Sequence, residues 1–390
     1  MSDTPLRYTA REMIEKLISF DTVSRHSNLE LIAFVENYLA GWGIASRRVT
    51  NEDGTKASLF ATLGPAEKPG GIVLSGHTDV VPVDGQDWSG DPFKVVEREG
   101  RLYGRGTCDM KSFIAIALAF VPDFLERGLK LPIHFALSYD EEVGCLGVRP
   151  MIDEVIRALP RPEIVIVGEP TEMKVVNAHK SIHAFETKVT GLEAHSSATD
   201  KGVSAIIYAA ELIHFLADIG EEMKERGDPS GKFDPPFTSV QIATIKGGTA
   251  INIVPRRCSF EWEFRSLPTQ DAEEIPRRLK AFAEEELLPR MHKVFPGAMI
   301  ETKAHHIVPP LIPEDGAPGE SLVLQLAERN STEAVSFGTE AGLFQLADIP
   351  AVVCGPGSIA QAHKPDEFIE LEQVKACERF FRKLVDHVAA

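Results

Sequence analysis

The sequence predicts an α/β protein: a mixed, mostly parallel sheet flanked by helices, with an inserted ferredoxin-like α+β domain. Three observations predict it. In the first half, short apolar runs rich in branched residues alternate with helix-length segments, the order that builds a parallel sheet covered on both faces. From Ala184 the order becomes β-α-β-β-α-β, a ferredoxin-like unit large enough to stand as its own domain. After Pro309 and Pro310 the first pattern resumes. One domain, 1–180 with 309–390, is therefore interrupted by another, 181–308.

The elements follow in order. Thr9 and Glu12 have capping-box spacing before Met13, Ile14, Leu17 and Ile18, which share one helical face. Ser27 and Glu30 repeat the spacing before Leu31, Phe34, Val35, Tyr38 and Leu39, and Gly41 and Gly43 end that helix. Leu59 to Leu63, Ile72 to Leu74, Ile133 to Leu137 and Ile164 to Val167 are of strand length. A helix over Lys111 to Glu126 separates the second and third, and one over Val148 to Leu159 separates the last two. In the insert, strands are expected at Ala184 to Val189, Thr238 to Ile245, Cys258 to Phe264 and Met299 to Ala304, with helices over Ser204 to Leu216 and Ala272 to Leu288. The closing segment carries helices around Ser321 to Glu328 and Thr339 to Leu346, a strand Ala351 to Cys354, and a helix over Leu371 to Val385.

Composition narrows the function classes. Lys plus Arg total 41 against 58 Asp plus Glu, a net charge of −17. That balance disfavours nucleic acid and anionic membrane surfaces, which select clustered cations. The longest apolar run, Phe113 to Val121, falls well short of the ~20 residues of a membrane span. Met1 to Glu12 carries no apolar signal-peptide core. Cys108, Cys145, Cys258, Cys354 and Cys377 are scattered and odd in number. They read as reduced thiols of a cytoplasmic protein, with no disulfide framework and no cysteine zinc site.

Four apolar strands run directly into metal-ligand residue types. Ile72-Val73-Leu74 leads to His77-Thr78-Asp79, Ile133 to Leu137 leads to Asp140-Glu141-Glu142, and Ile164 to Val167 leads to Glu169-Pro170. Val352-Val353 leads through a Gly-rich turn to His363, and Asp109 lies just before the Lys111 helix. Open α/β sheets bind ligands at the carboxyl ends of their strands, so these side chains are expected to converge. Two His and three carboxylates suit Zn²⁺, with Co²⁺ or Mn²⁺ as substitutes. They exceed the needs of one tetrahedral ion and suit two ions ~3.5–4 Å apart, bridged by a carboxylate and a water. An acid beyond the ligand set is needed as general base, and the Glu141-Glu142 pair offers both roles. Asp79 is placed to anchor the second ring nitrogen of His77.

These residues carry a family resemblance. Gly76-His77-Thr78-Asp79, Gly104-Arg105-Gly106 with Asp109-Met110-Lys111, Asp140-Glu141-Glu142 and Gly168-Glu169-Pro170 resemble the co-catalytic zinc hydrolases. That superfamily includes aminoacylases, carboxypeptidase G-type enzymes, succinyl-diaminopimelate desuccinylase and acetylornithine deacetylase. The resemblance spans nearly the whole chain. It implies His77 and Glu169 on one metal, Glu142 and His363 on the other, Asp109 as the bridge with a cis peptide after it, and Glu141 as general base.

It also implies that the insert mediates homodimerisation. His195, in Ala194-His195-Ser196-Ser197, would stabilise the oxyanion, commonly from the partner subunit. Asn252 and Arg265 match positions that contact substrate; by residue type alone, Arg265 reads first as an exposed strand-end residue in an ion pair. The segments Ser336 to Phe344 and Cys354 to Phe368 look like the acetylornithine deacetylase branch more than the desuccinylase branch. Gly338-Thr339-Glu340-Ala341 at a helix start places amide N–H groups beside an acid, making Thr339 and Glu340 candidates for a substrate carboxylate and ammonium; a Glu stabilising its own first turn is the alternative. The implied activity is hydrolysis of N2-acetyl-L-ornithine in arginine biosynthesis. Its rivals are another N-acyl-amino-acid hydrolase, or a non-catalytic zinc or amino-acid binding module. Cys108 lacks a paired base, and the pairs His305-His306 and His179/His183 lack ligand spacing on extended backbone.

Overall fold

The computed structural model describes residues 5–314 and 316–390. The chain divides into two compact units. One comprises residues up to Ala178 with Pro313–Glu333 and Thr339–Ala390; the other comprises His179–Ile312 with Ala334–Gly338.

The first unit is built on an eight-stranded sheet. Its order is Ser46–Thr50, Ala57–Leu63, Ile133–Ser138, Ile72–His77, Ile164–Pro170, Ala351–Gly355, Val175–His179, Thr332–Val335. The four strands from Ile133–Ser138 to Ala351–Gly355 are mutually parallel. Ala57–Leu63 joins them antiparallel, and Ser46–Thr50 pairs antiparallel with Ala57–Leu63 beyond it. Every residue of the four parallel strands is buried, which is why the sequence shows them as unbroken apolar runs without alternation. Helix Lys111–Ala119, buried at all nine positions, packs against Ile72–His77 and against helices Ala10–Ile18 and Leu371–Ala389. Phe113, Phe120, Phe380 and Phe381 close that interface.

The elements differ from expectation where a side chain has a better partner or a proline intervenes. The Thr9–Glu12 capping box forms. The Ser27–Glu30 box does not: helix Leu29–Gly41 starts after Asn28. The Asn28 amide instead pairs with both the N–H and the C=O of Ala57, and with Thr78 Oγ1. The expected helix from Lys111 to Glu126 is two, Lys111–Ala119 and Val121–Arg127, with Pro122 in the first turn of the second, where its missing N–H does no harm. The expected helix over Ala272 to Leu288 is Glu274–Phe282, a wider π-type turn Ala283–Leu287, and Leu288–His292. Ser46–Thr50, Val96–Arg98, Arg101–Tyr103, Val175–His179, Thr332–Val335 and Phe368–Glu370 are strands the sequence did not announce. Most are short or lack the apolar alternation of a half-buried strand.

The second unit has a four-stranded antiparallel sheet in the order Ser239–Gly247, Arg257–Arg265, Ile182–Thr190, Met299–Val308. Within the unit that is second, third, first, fourth, the ferredoxin-like arrangement. Helices Ala205–Arg226 and Glu274–Phe282 cover one face, over Phe185, Phe260, Trp262 and Phe264. The buried Trp262 indole donates to Thr187 Oγ1 at 3.0 Å.

His134 lies inside the sheet, 1% exposed, stacked on Phe60 and bonded to Thr62 Oγ1 at 2.9 Å. Burial pulls its pKa from 6.5 down to about 4, and His179 and His183 are likewise pulled to about 4 by burial. The unfolded chain takes up these protons near pH 6.5, while the folded chain refuses them until about pH 4. Stability is therefore held above 6.5 and lost as pH falls toward 4, by up to ~1.4 kcal/mol per pH unit for each histidine. His134→Gln is expected to reduce this slope by up to one proton's worth, read from urea midpoints of metal-free protein between pH 4 and 7. An unchanged slope would show that His134 is not buried neutral.

Candidate metal centre

The parallel strands deliver the site. His77 ends its strand, Asp140-Glu141-Glu142 follow Ile133–Ser138, Glu169 lies near the end of Ile164–Pro170, and His363 follows Ala351–Gly355 through a turn. All stand at the carboxyl edge of four adjacent strands. Asp109 enters from the loop before helix Lys111–Ala119, and the peptide Asp109–Met110 is cis.

Asp109 stands between the two histidines. His77 Nε2 is 3.0 Å from Asp109 Oδ1, and His363 Nε2 is 3.2 Å from Asp109 Oδ2. His77 Nε2 also lies 3.5 Å from Glu169 Oε1, and His363 Nε2 lies 3.2 Å from Glu142 Oε2. One carboxylate thus offers an oxygen to each side, with a second carboxylate on each. Donor atoms of His77, Glu141 and Glu169 fall within 4.8 Å of one another, as do those of His77, Asp109 and Glu142. Glu142 Oε1 is buried without a hydrogen-bond partner, which leaves it available to a cation.

Asp79 does more than the sequence suggested. The His77 Nδ1 partner is the Asp79 backbone carbonyl at 2.9 Å, with its carboxylate farther away at 3.6 Å. This leaves Nε2 free to act as a ligand. The Asp79 carboxylate accepts from the N–H of Glu141 at 3.1 Å, from the N–H of Glu142 at 3.3 Å and from Ser24 Oγ at 2.7 Å. One side chain therefore ties the His77 strand to the turn that carries both glutamates. Asp140 enters that turn with φ +54 and is paired to Lys56 Nζ at 2.6 Å, and His363 itself has φ +63. Non-glycine residues in this region store backbone strain of ~1–3 kcal/mol each, as functional sites commonly do.

The electrostatics are those of an acid-rich site. Burial, with help from Glu142 and Asp109 and against the pull of His77, pushes Glu141 up to about 8. Burial and the Asp109 charge raise Glu142, and both raise Glu169 well above the carboxylate range. Hydrogen bonds to Asp109 and Glu142 push His363 up to about 10. Burial works against a charge on His77, yet Glu169, Asp109 and Asp79 raise it overall. The cluster is short of positive charge, and its nitrogen and oxygen donors are those of a divalent metal site.

Two expected substrate contacts are buried. Glu340 is fully buried, its oxygens held by Ser75 Oγ at 2.6 Å and Ser138 Oγ at 2.8 Å. Thr339 is equally buried and accepts from the Ala341 N–H. Both side chains find their partners inside the first unit. In the second unit, His195 is exposed, with Nδ1 2.8 Å from Ser197 Oγ, and forms a bridge with Ile253. Asn252 is exposed on the neighbouring loop, its carbonyl accepting from the Ser196 N–H. Arg265 is half-buried and faces Glu263 at 3.4 Å. Sequence reasoning missed Ser24 and Glu367. Glu367 lay inside a quoted motif, but nothing in an Asp-Glu-Phe triplet signals burial.

Comparisons with known proteins identify the family. The model of the peptidase family M20/M25/M40 matches residues 73–387. The chain is 33% identical over 387 residues to acetylornithine deacetylase of Pasteurella multocida (strain Pm70), covering 97% of this chain and 96% of that protein. It is 34% identical to acetylornithine deacetylase of Myxococcus xanthus, covering 99% of each. Among solved structures, the M20 family metallo-carboxypeptidase Sso-CP2 from Sulfolobus solfataricus superposes with a TM-score of 0.77 at 16% identity, over 98% of this chain and 99% of that one. A dinuclear metal binding peptidase of the M20 family from Bacillus subtilis superposes with a TM-score of 0.65 at 17% identity, over 97% of each chain. With the family model covering most of its length and full-length relatives above 30% identity, the chain belongs to peptidase family M20/M25/M40.

Proposed function

We propose that the protein is a two-metal amide hydrolase that removes the acetyl group from N2-acetyl-L-ornithine, giving L-ornithine and acetate in arginine biosynthesis. The observation that carries the chemistry is the Asp109 carboxylate set between His77 and His363, with Glu141, which also lies within ligand distance of His77 and Glu169, assigned to the base. The choice of substrate rests on the full-length likeness to acetylornithine deacetylases. His77 and Glu169 would hold one ion, Glu142 and His363 the other, with Asp109 shared. Zn²⁺ suits these donors, and Co²⁺ is the natural substitute. When bound, the ions supply Lewis-acid polarisation and an acidified water.

The chain's own residues do the rest. Glu141 takes the proton from the attacking water and returns it to the leaving amine. Its pKa, pushed up to about 8 before any cation is present, falls as positive charge arrives beside it, which favours the carboxylate a general base needs. Asp79 holds the Glu141 and Glu142 amides and so fixes where that proton is exchanged. Asn252 and Arg265 are assigned to the substrate, Arg265 for its fork-shaped match to a carboxylate. His195 is assigned to the oxyanion. We place the enzyme in the cytoplasm, where its five buried free thiols stay reduced.

Glu141→Gln keeps the shape and removes the proton transfer. A loss of at least ~10²-fold in kcat is expected, with metal content unchanged by elemental analysis. A variant that keeps more than about a tenth of wild-type kcat would exclude Glu141 as the base. Chelation should abolish activity, and Zn²⁺ or Co²⁺ should restore it. Acetylornithine should be turned over in preference to succinyl-diaminopimelate; the reverse order would move the assignment to a desuccinylase.

The second unit is assigned to homodimerisation. Ile207, Ile253 and Val294 are exposed around a cleft of about 340 Å³, an apolar surface of the kind that a partner subunit covers. If His195 acts across a dimer, mixing His195→Ala with Glu141→Gln subunits gives hybrids with one intact site. Random exchange makes about half the dimers hybrids, so activity should return to roughly a quarter of wild type. A mixture shown by mass to contain hybrids, yet no more active than its parents, would place His195 within its own chain.

A further inference from the structure

Near the metal centre lies a buried ion pair that the proposed chemistry does not use. Glu367 and Arg105 side chains are each 1% exposed and meet at 2.7 Å. Burying such a pair commonly costs more than the attraction returns, so its place in the fold must be sought in geometry.

Glu367 grips the loop that ends in Asp109. Its Oε1 accepts from three backbone amides, Gly106 at 3.0 Å, Cys108 at 2.8 Å and Asp109 at 3.1 Å. Successive amides converging on one anion form a nest, and the anion fixes the curl of the backbone around it. Gly106 lies in that curl with φ +85, a conformation glycine takes without steric cost.

The other side of the pair reaches the segment of His363. Glu367 is itself four residues beyond His363. Arg105 Nη1 donates to the Lys364 carbonyl at 3.3 Å, and Nη2 donates to Gln86 Oε1 at 2.5 Å. The Gln86 amide then donates to the His363 carbonyl at 2.9 Å. The His363 side chain is 53% exposed and its backbone has φ +63. Packing does little to hold it, so these backbone anchors set where its ring stands.

We infer that Glu367, with Arg105 and Gln86, positions Asp109 and His363 relative to each other and thereby sets the affinity of the metal held by Glu142 and His363 more strongly than that of the His77–Glu169 metal, which meets the device through Asp109 alone. The inference rests on the two-metal reading above. Glu367→Gln breaks the device whichever way the amide turns. If its oxygen faces the three N–H groups, its NH₂ faces the Arg105 guanidinium; if it flips, the NH₂ faces the three N–H groups.

The test is calorimetric titration of Zn²⁺ into metal-free wild type, Glu367→Gln and the milder Gln86→Ala, with the thermal midpoint of each metal-free protein measured alongside. Wild type should take two ions. In Glu367→Gln the weaker event, assigned to the Glu142–His363 site because His363 is the exposed ligand, should lose at least tenfold more affinity than the tighter one. Gln86→Ala, at a half-buried position, should show the same split at several-fold and carries the test if Glu367→Gln does not fold. Two unchanged events in folded variants overturn the inference alone, as do two events weakened equally, since a general staple of the fold would do that. A wild-type chain that takes one ion only overturns the two-metal reading, and the inference with it.

Discussion

Carboxylates crowded into a dry site cannot all be ionised without compensating positive charge, and the rest of this structure is arranged around that constraint. Asp79, Asp109, Glu141, Glu142 and Glu169 meet at one edge of the sheet with two histidines between them. The charge deficit appears as raised pKa values on Glu141, Glu142 and Glu169, whose largest cause is burial. It appears again in histidines that favour their protonated forms. Divalent cations relieve both strains together. Holding such a cluster in register takes a stiff frame, and the four fully buried parallel strands supply it.

The candidate ligands are delivered by strands, or by the loop before Lys111–Ala119 in the case of Asp109, and hydrogen bonds hold most of them a second time. For His77 the second fix is the Asp79 carbonyl. For the Glu141-Glu142 turn it is the Asp79 carboxylate, itself held by Ser24. For Asp109 it is Glu367. Only His363 has a largely exposed ring, and it is reached through Gln86 and its own strained backbone. The two halves of the cluster therefore differ in how they are built.

Much of this was legible in the sequence. Buried parallel strands are continuous apolar runs, and the ligand residues follow them within a few positions, so the strand-to-ligand pattern survives in one dimension. The β-α-β-β-α-β order of the insert was legible for the same reason, since its strands carry Trp262, Phe185 and Phe264 inward. What was not legible was which polar residues are buried. Glu340 has the composition of a helix-start contact, yet Ser75 and Ser138, from strands distant in sequence, enclose it completely. Asn28 forgoes its cap because Ala57 lies opposite. Such pairings are long-range and specific, and they leave no periodicity to read.

Hydrogen bonding then separates the supporting acids from the working ones. Glu340 is held by two hydroxyls, Asp79 by two amides and a hydroxyl, and Glu367 by three amides and a guanidinium. These carboxylates have their protein donors and hold the backbone around them in place. Glu142, by contrast, keeps one oxygen buried without a partner, and Glu169 meets His77 at 3.5 Å. An unsatisfied buried oxygen costs ~1–3 kcal/mol or more when charged, a cost the fold avoids at Glu340, Asp79 and Glu367 by supplying donors. On Glu142 the oxygen stays open to a cation, which would return the missing interaction, where a hydroxyl in the same place would close the site.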